Sequence, residues 1–178
     1  MKKSAVLLIV LAVILAGCGQ KAQKLGPGDM LDNDTGAVYH LGDPEDVFDS
    51  AFGRGVADGD STKYLSKALT VEYDAEGRAV RIQADGGTNR FSFLGFDFSK
   101  SLADVKGRYE LTSSTGFDCY SMCYSTDGGQ LTAAEAFRLP EYVEHVLLVR
   151  STDQAAMGLK AGDFVYYSIE TRQGYAAP

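Results

Sequence analysis

A short stretch of the chain, from Asp43 to Gly53, carries apolar residues at helical spacing. Pro44 suits the first position of a helix, acidic residues follow it, and Gly53 provides a stop signal. We expect Asp43 to cap this helix. Its apolar side chains should share one face, which holds Val47, Phe48, Ala51 and Phe52.

Two further helices are predicted downstream by capping boxes, in which a hydroxyl residue and an acidic residue three positions later satisfy each other's backbone amides. Ser101 and Asp104 form the first pattern, followed by an apolar stripe of Leu102, Val105 and Tyr109. Thr132 and Glu135 form the second pattern, which predicts a small helix. Helices this short are marginal alone and need a sheet on which to bury their apolar face.

Alternating apolar and polar positions predict a β-hairpin after the first helix. Leu69–Tyr73 and the residues around Val80 and Ile82 have period-two patterns, and the residues between them end in Gly77. A third strand is predicted from Arg90 to Phe98. The parity of its phenylalanines changes across Gly95, which indicates a bulge or bend there.

Three later segments also have strand-like composition, at residues 116–125, 142–150 and 164–169. The last two are nearly continuous apolar runs, as expected of strands covered on both faces. His145 lies in one of these runs, so we expect a hydrogen-bonded histidine in the core or at its rim, in preference to a catalytic one. The elements together predict an α+β fold with short helices packed on antiparallel β-sheet. They are arranged as two tandem modules, 37–95 and 96–178, or as one domain, 37–178.

The first twenty residues differ in character from the rest. Two lysines precede twelve unbroken apolar residues, Ala5 to Ala16, which are too few to span a bilayer but typical of a secretory signal peptide. The following stretch, up to Gly36, is rich in Gly, Asp, Lys and Gln. It predicts a flexible tether over residues 18–36.

The end of the apolar run, Leu15-Ala16-Gly17-Cys18, resembles the lipobox of bacterial lipoproteins. The resemblance implies that residues 1–17 are removed as a signal peptide and that the Cys18 thiol carries a diacylglyceryl group. It also implies an extracytoplasmic protein held at a membrane of the bacterial cell envelope. Two or three acyl chains would make that attachment stable.

The folded part resembles two other families over short motifs. His40-Leu41-Gly42-Asp43, Phe52-Gly53 and the second helix with Tyr109 look like the modules of β-lactamase-inhibitor proteins and small outer-membrane-assembly lipoproteins. That resemblance implies short helices on an antiparallel sheet. Val146–Val149 followed by Ala155–Asp163 looks like the strand, short helix and turn of bacterial PDZ domains. The same segment is also compatible with a simple helix-to-strand turn that uses Gly158 and Gly162.

Charge and motifs narrow the classes of function. The chain has 17 Lys and Arg against 24 Asp and Glu, and removing the two signal-peptide lysines leaves a formal charge of −9. So acidic a surface argues against nucleic acid as a partner. We find no zinc-binding spacing, nucleophile elbow or phosphate loop in the sequence. We therefore expect no enzyme and no cofactor or metal, although a carboxylate pair can form in space without a sequence signal.

Cys119 and Cys123 are the cysteines that remain after Cys18. An exported chain meets an oxidising compartment, so we expect a Cys119–Cys123 disulfide at a hairpin tip, with free thiols as the alternative. Tyr120, Met122 and Tyr124 flank the cysteines and are the candidate interface, although such aromatics also fill cores. The resulting hypothesis is a membrane-anchored, non-enzymatic module that binds a protein or peptide. The alternative is a small ligand-binding or hydrolytic envelope lipoprotein.

Overall fold

A computed structural model describes residues 24–87, 89–114, 117–150 and 163–174. Its smaller sheet has four antiparallel strands in the order β2-β1-β7-β8. These strands are β1 (Asp29–Asp32), β2 (Val38–His40), β7 (Phe91–Phe93) and β8 (Phe96–Asp97).

The larger sheet is also antiparallel, and within the described ranges it has the order β11-β10-β12-β13-β6-β5-β4-β3, with β9 added beside β10. Its first strands along the chain are β3 (Val56–Asp58), β4 (Ser61–Tyr64), β5 (Leu69–Tyr73) and β6 (Ala79–Asp85). Its later strands are β9 (Glu110–Ser114), β10 (Phe117–Tyr124), β11 (Gln130–Leu131), β12 (Glu141–Arg150) and β13 (Phe164–Gln173).

The predicted α+β class is wrong, because the described part of the chain is mostly β, with about half of its residues in strands. Within the described residues the three α-helices are short: α1 (Glu45–Phe52), α2 (Leu102–Lys106) and α3 (Ala133–Ala136). Strands β3 and β9 are exposed at every position, so no apolar alternation marks them in the sequence. Sequence patterning therefore underestimates the strand content.

One pair of neighbouring strands joins the two segments that were predicted as modules. Strand β13 pairs with β6 over five residues, so residues from 37–95 and 96–178 lie in one sheet. Strand β1 lies inside residues 18–36, which corrects the predicted tether for that part of the chain. The chain is thus held by sheet hydrogen bonds from Asp29 onward.

The core lies between the two sheets and is rich in aromatic rings. Phe96 of the small sheet stacks on Tyr167 of the large sheet, with ring centroids 4.1 Å apart, and Phe93 lies 4.7 Å from the same ring. Both phenylalanines and Tyr167 are almost completely buried. Burying rings of this size contributes strongly to the free energy of folding.

Helix α1 forms where predicted but buries a narrower face. Phe48 and Phe52 are buried, whereas Val47 and Ala51 are exposed, so the four-residue apolar face is wrong. The Asp43 carboxylate accepts the backbone N–H of His40 at 2.7 Å and does not cap the helix. The predicted capping boxes of α2 and α3 are confirmed.

The predicted hairpin of β5 and β6 is confirmed by their antiparallel pairing. Gly95, in contrast, does not mark a bulge in one long strand. Residues Leu94 and Gly95 form a two-residue turn between β7 and β8, and Gly95 has a φ of 71° there. A hairpin reverses the chain direction, so Phe93 and Phe96 become partners across the turn and both face the core.

Candidate functional site

Strand β10 contains the aromatic residues that the sequence predicted as an interface. Tyr120, Met122 and Tyr124 are all buried, because alternate residues of a strand share one face and this face of β10 lies on the core. The predicted interface is therefore wrong. The three side chains pack in the core and are not available to a partner.

Cys119 and Cys123 lie on the opposite face of the same strand, and both are free thiols. The predicted disulfide needed a tight turn between them. Strand β10 instead runs without a turn from Phe117 to Tyr124, and residues four apart in a strand are about 13 Å apart, beyond the reach of a disulfide. Burial, with smaller contributions from Glu144 and Glu110, raises the pKa of the Cys123 thiol to about 11.

An open cleft of about 670 Å³ lies at one end of the two sheets, and we call it the N-terminal cleft because residues 26–29 form one wall. The other walls come from the end of β2, the β5–β6 turn, the turn after β10, the start of β12 and the end of β13. Its polar lining residues include Asp29, His40, Asp74, Arg78, Thr126, Glu141, Thr171 and Gln173.

His40 and Asp29 form a hydrogen-bonded pair in this cleft. The imidazole Nδ1 lies 2.7 Å from Asp29 Oδ1, and the second carboxylate oxygen accepts the backbone N–H of Gly26 at 2.6 Å. Strand pairing places the two residues opposite each other, since Asp29 of β1 is the register partner of His40 of β2. The carboxylate thereby orients the half-exposed imidazole, whose Nε2 makes no hydrogen bond within the described part of the chain.

Arg78 and Glu141 bring both signs of charge to other walls of the cleft. Arg78 Nη1 donates to the carbonyl oxygen of Gly42 at 3.2 Å, which fixes one side of the guanidinium. Gln173 Nε2 donates to Glu141 Oε2 at 3.3 Å. A cleft that offers a guanidinium, an imidazole and carboxylates suits a polar ligand that carries charged groups.

A buried chain of hydrogen bonds lies beneath the cleft and confirms His145 as a core histidine. His145 Nε2 is 2.7 Å from the carbonyl oxygen of Pro27, and its Nδ1 is 2.6 Å from the Tyr167 hydroxyl. The Tyr167 hydroxyl is in turn 2.8 Å from that of Tyr109. A carbonyl can only accept, so Nε2 carries the proton, Nδ1 accepts from Tyr167, and Tyr167 accepts from Tyr109.

Burial sets the protonation state of this chain of groups. Desolvation lowers the pKa of His145 to about 4, opposed by the smaller effect of the Pro27 carbonyl. Burial also raises the pKa of Tyr109 to about 12. At neutral pH all three side chains are therefore uncharged. We call the His145–Pro27 hydrogen bond the N-terminal clasp, because it ties a central strand to the segment that leads into β1.

The sequence pattern missed the Asp29–His40 pair. Asp29 is in the stretch predicted as a tether, and the two residues are eleven positions apart with no motif between them. Only the pairing of β1 with β2 brings them together. Cys18 and residues 155–162 of the PDZ-like segment lie outside the described residues.

Across the described ranges, no three His, Cys, Asp or Glu side chains are grouped as a metal site requires. No helix in that part of the chain has the length and apolar character of a membrane span. Comparison with protein-family models, curated proteins and solved structures gives no match to this chain.

Proposed function

We propose that this chain is a lipid-anchored, extracytoplasmic protein of the bacterial cell envelope, and that its β-rich part is a non-enzymatic module that binds a protein or peptide partner in the N-terminal cleft. The anchoring part rests on the order and spacing of the basic start, the apolar run and the lipobox that ends at Cys18. The binding part rests on one observation, the mixed-charge lining of the cleft.

The size and lining of the cleft favour a peptide segment or terminus as the ligand. A volume of about 670 Å³ is in the range of ligand-binding pockets. Arg78 suits a carboxylate, since a guanidinium offers several donors in one plane, while Asp29 and Glu141 suit amide N–H groups or an ammonium. A peptide carries all of these groups, whereas an apolar ligand would leave the charged side chains desolvated without partners.

The hydrogen-bonded Asp29–His40 pair supports a second candidate function, hydrolysis of envelope material. A carboxylate that holds Nδ1 leaves Nε2 free to take a proton from water or from a substrate hydroxyl. His40→Gln separates the two functions. Under the binding proposal it weakens binding only, whereas under the hydrolytic alternative it abolishes turnover and leaves the ligand bound.

Site-specific photo-crosslinking in intact cells tests the proposal. A photoreactive amino acid at Thr126, an exposed position on the cleft, should give a discrete adduct with one envelope protein, and Arg78→Ala should reduce its yield. The same amino acid at exposed Lys100, which lines a different cavity, is the matched control. Equal adducts at both positions, or no effect of Arg78→Ala, would contradict binding in the cleft.

A further inference from the structure

The chain is fixed to the folded module very soon after the proposed lipid anchor. Pro27 is held by the N-terminal clasp, Gly26 donates to Asp29, and Gly28 accepts the backbone N–H of Leu41 at 2.9 Å. From Gly26 onward, the chain therefore cannot act as a free spacer. The residues available as a spacer are those from Cys18 to Gly26, which are fewer than the predicted tether of 18–36.

The length of this spacer has an upper limit that does not depend on its conformation. Eight residue steps separate Cys18 from Gly26, and a fully extended chain covers at most about 3.6 Å per step, or about 29 Å in total. A β-strand rises about 3.3 Å per residue, so the ten residues of β12 extend about 30 Å from Glu141 to Arg150. The spacer is thus no longer than the module itself.

The two ends of β12 lie in different surroundings. Glu141, at its start, lines the N-terminal cleft together with Gly26 and Pro27. Arg150, at its end, lines a second cavity beside Lys100 and Phe164. The chain therefore leaves the module toward the proposed anchor at the cleft end, about 30 Å along the strand from the other end.

We infer that the short spacer and the clasp hold the N-terminal cleft toward the bilayer, so that the cleft takes a polar peptide segment of a protein embedded or anchored in the same membrane. This inference rests on the proposed function, because it requires the lipid on Cys18 and a peptide ligand in the cleft. A partner in the same membrane meets the cleft at high effective concentration, since both are confined to one surface.

Energy transfer from the protein to the lipid surface tests the orientation. A fluorescent amino acid is placed at Thr126 or at Lys100 of the full lipidated protein, which is reconstituted in vesicles that contain acceptor-labelled lipid headgroups. Because the two ends differ by about 30 Å along β12, transfer from position 126 should exceed transfer from position 100 by about twofold or more. Equal transfer, or greater transfer from position 100, overturns the inference.

A spacer variant is the matched control. Inserting twenty Gly and Ser residues after Gln20 lengthens the spacer several-fold and should bring the two transfer efficiencies close to each other. If the difference persists, something other than the spacer orients the module, and the inference is wrong. Intact mass on the same samples separates this failure from that of the proposed function, because a chain without lipid on Cys18 contradicts the anchoring itself.

The identity of the crosslinked protein tests the partner. The Thr126 adduct should contain a protein with its own membrane anchor or span, and lengthening the spacer should reduce the adduct yield as well as the orientation. A freely soluble protein in the adduct, captured equally by both spacer lengths, would leave peptide binding in place but would overturn the choice of a membrane-held partner.

Discussion

His145 is a titratable residue that is kept neutral by burial within the large sheet. It is fully buried, and its two ring nitrogens are satisfied by Pro27 and Tyr167. The apolar run around it predicted a histidine in the core or at its rim. It did not predict the two partners, because Pro27 and Tyr167 are distant from His145 in sequence and lie in other segments of the fold.

Replacing Tyr167 by Phe should destabilise the protein by about 1–3 kcal/mol, because the change leaves His145 Nδ1 without a donor inside the core. Tyr120→Phe is the matched control. Its ring is also buried, but its hydroxyl makes no hydrogen bond within the described residues, so the cost should stay within about 0.5 kcal/mol. Urea melts of the two variants measure the difference. Equal costs would show that the buried chain of hydrogen bonds contributes nothing.

The pH dependence of unfolding should report the same histidine. The pKa of His145 is about 4 in the folded chain and its ordinary value is 6.5, so between these two pH values the unfolded chain binds a proton that the folded chain does not. Stability should therefore be lost as pH falls through this window, by about 3 kcal/mol in total. The neighbouring groups, Tyr109, Tyr124 and Tyr167, stay neutral there.

Denaturant melts from pH 7 to pH 4.5 measure this loss, and His145→Gln removes the contribution while carboxylate titrations remain in both proteins. The difference between the two proteins in the slope of the free energy of unfolding against pH gives the contribution of His145. As a check on the wild-type chain alone, NMR of the imidazole should show a neutral ring at pH 5. A protonated ring at that pH, or identical slopes, would contradict the assignment.

Helix α1 shows how a pattern can locate an element and still misplace its face. Acidic residues after Pro44 and the stop at Gly53 locate the helix correctly. The apolar pattern placed Val47 with Phe48, but only Phe48 and Phe52 reach the core, where they meet Tyr39 and Tyr64. An apolar residue beside the buried stripe costs little when exposed, so hydrophobicity alone does not define the boundary.

Phe48→Ala should cost about 3–5 kcal/mol, because it opens a cavity in an aromatic cluster. Val47→Ala, on the same helix but 37 % exposed, removes less buried apolar surface and should cost about 1 kcal/mol or less. Guanidinium melts of both variants measure the contrast. Similar losses of unfolding free energy at the two positions would support the wider buried face that the sequence pattern indicated.

Strand β10 shows a different limit of sequence patterns. Tyr120, Met122 and Tyr124 alternate regularly, which is compatible with a core face or with an exposed patch. Which of these forms depends on whether another layer covers the strand. Here the strand lies between β9 and β11 on one side and β12 on the other, and its aromatic face joins the main core. The core residues that cover this face come mostly from other segments of the chain, so they leave no signal in the sequence of β10 itself.

At the scale of the whole molecule, the described residues form two β-sheets, and the ends of strands that are distant in sequence form the N-terminal cleft. Hairpins and caps were predictable, because each depends on a few adjacent residues. The fold class was not predictable from the sequence, because strands β3 and β9 are exposed throughout and β1 lies in a Gly- and Asp-rich stretch. The cleft was not predictable either, since its walls come together only through the order of the strands in both sheets.

Anchoring through Cys18 is the claim on which both the proposed binding function and the orientation of the cleft depend. Its most direct test is the intact mass of the protein extracted from membranes, beside a Cys18→Ala variant. We expect a chain that begins at Cys18 and carries a diacylglyceryl group, and we expect the Cys18→Ala variant to lack the lipid and to leave the membrane fraction. A chain that still begins at Met1, or that begins elsewhere without lipid and fractionates as the variant does, would contradict it.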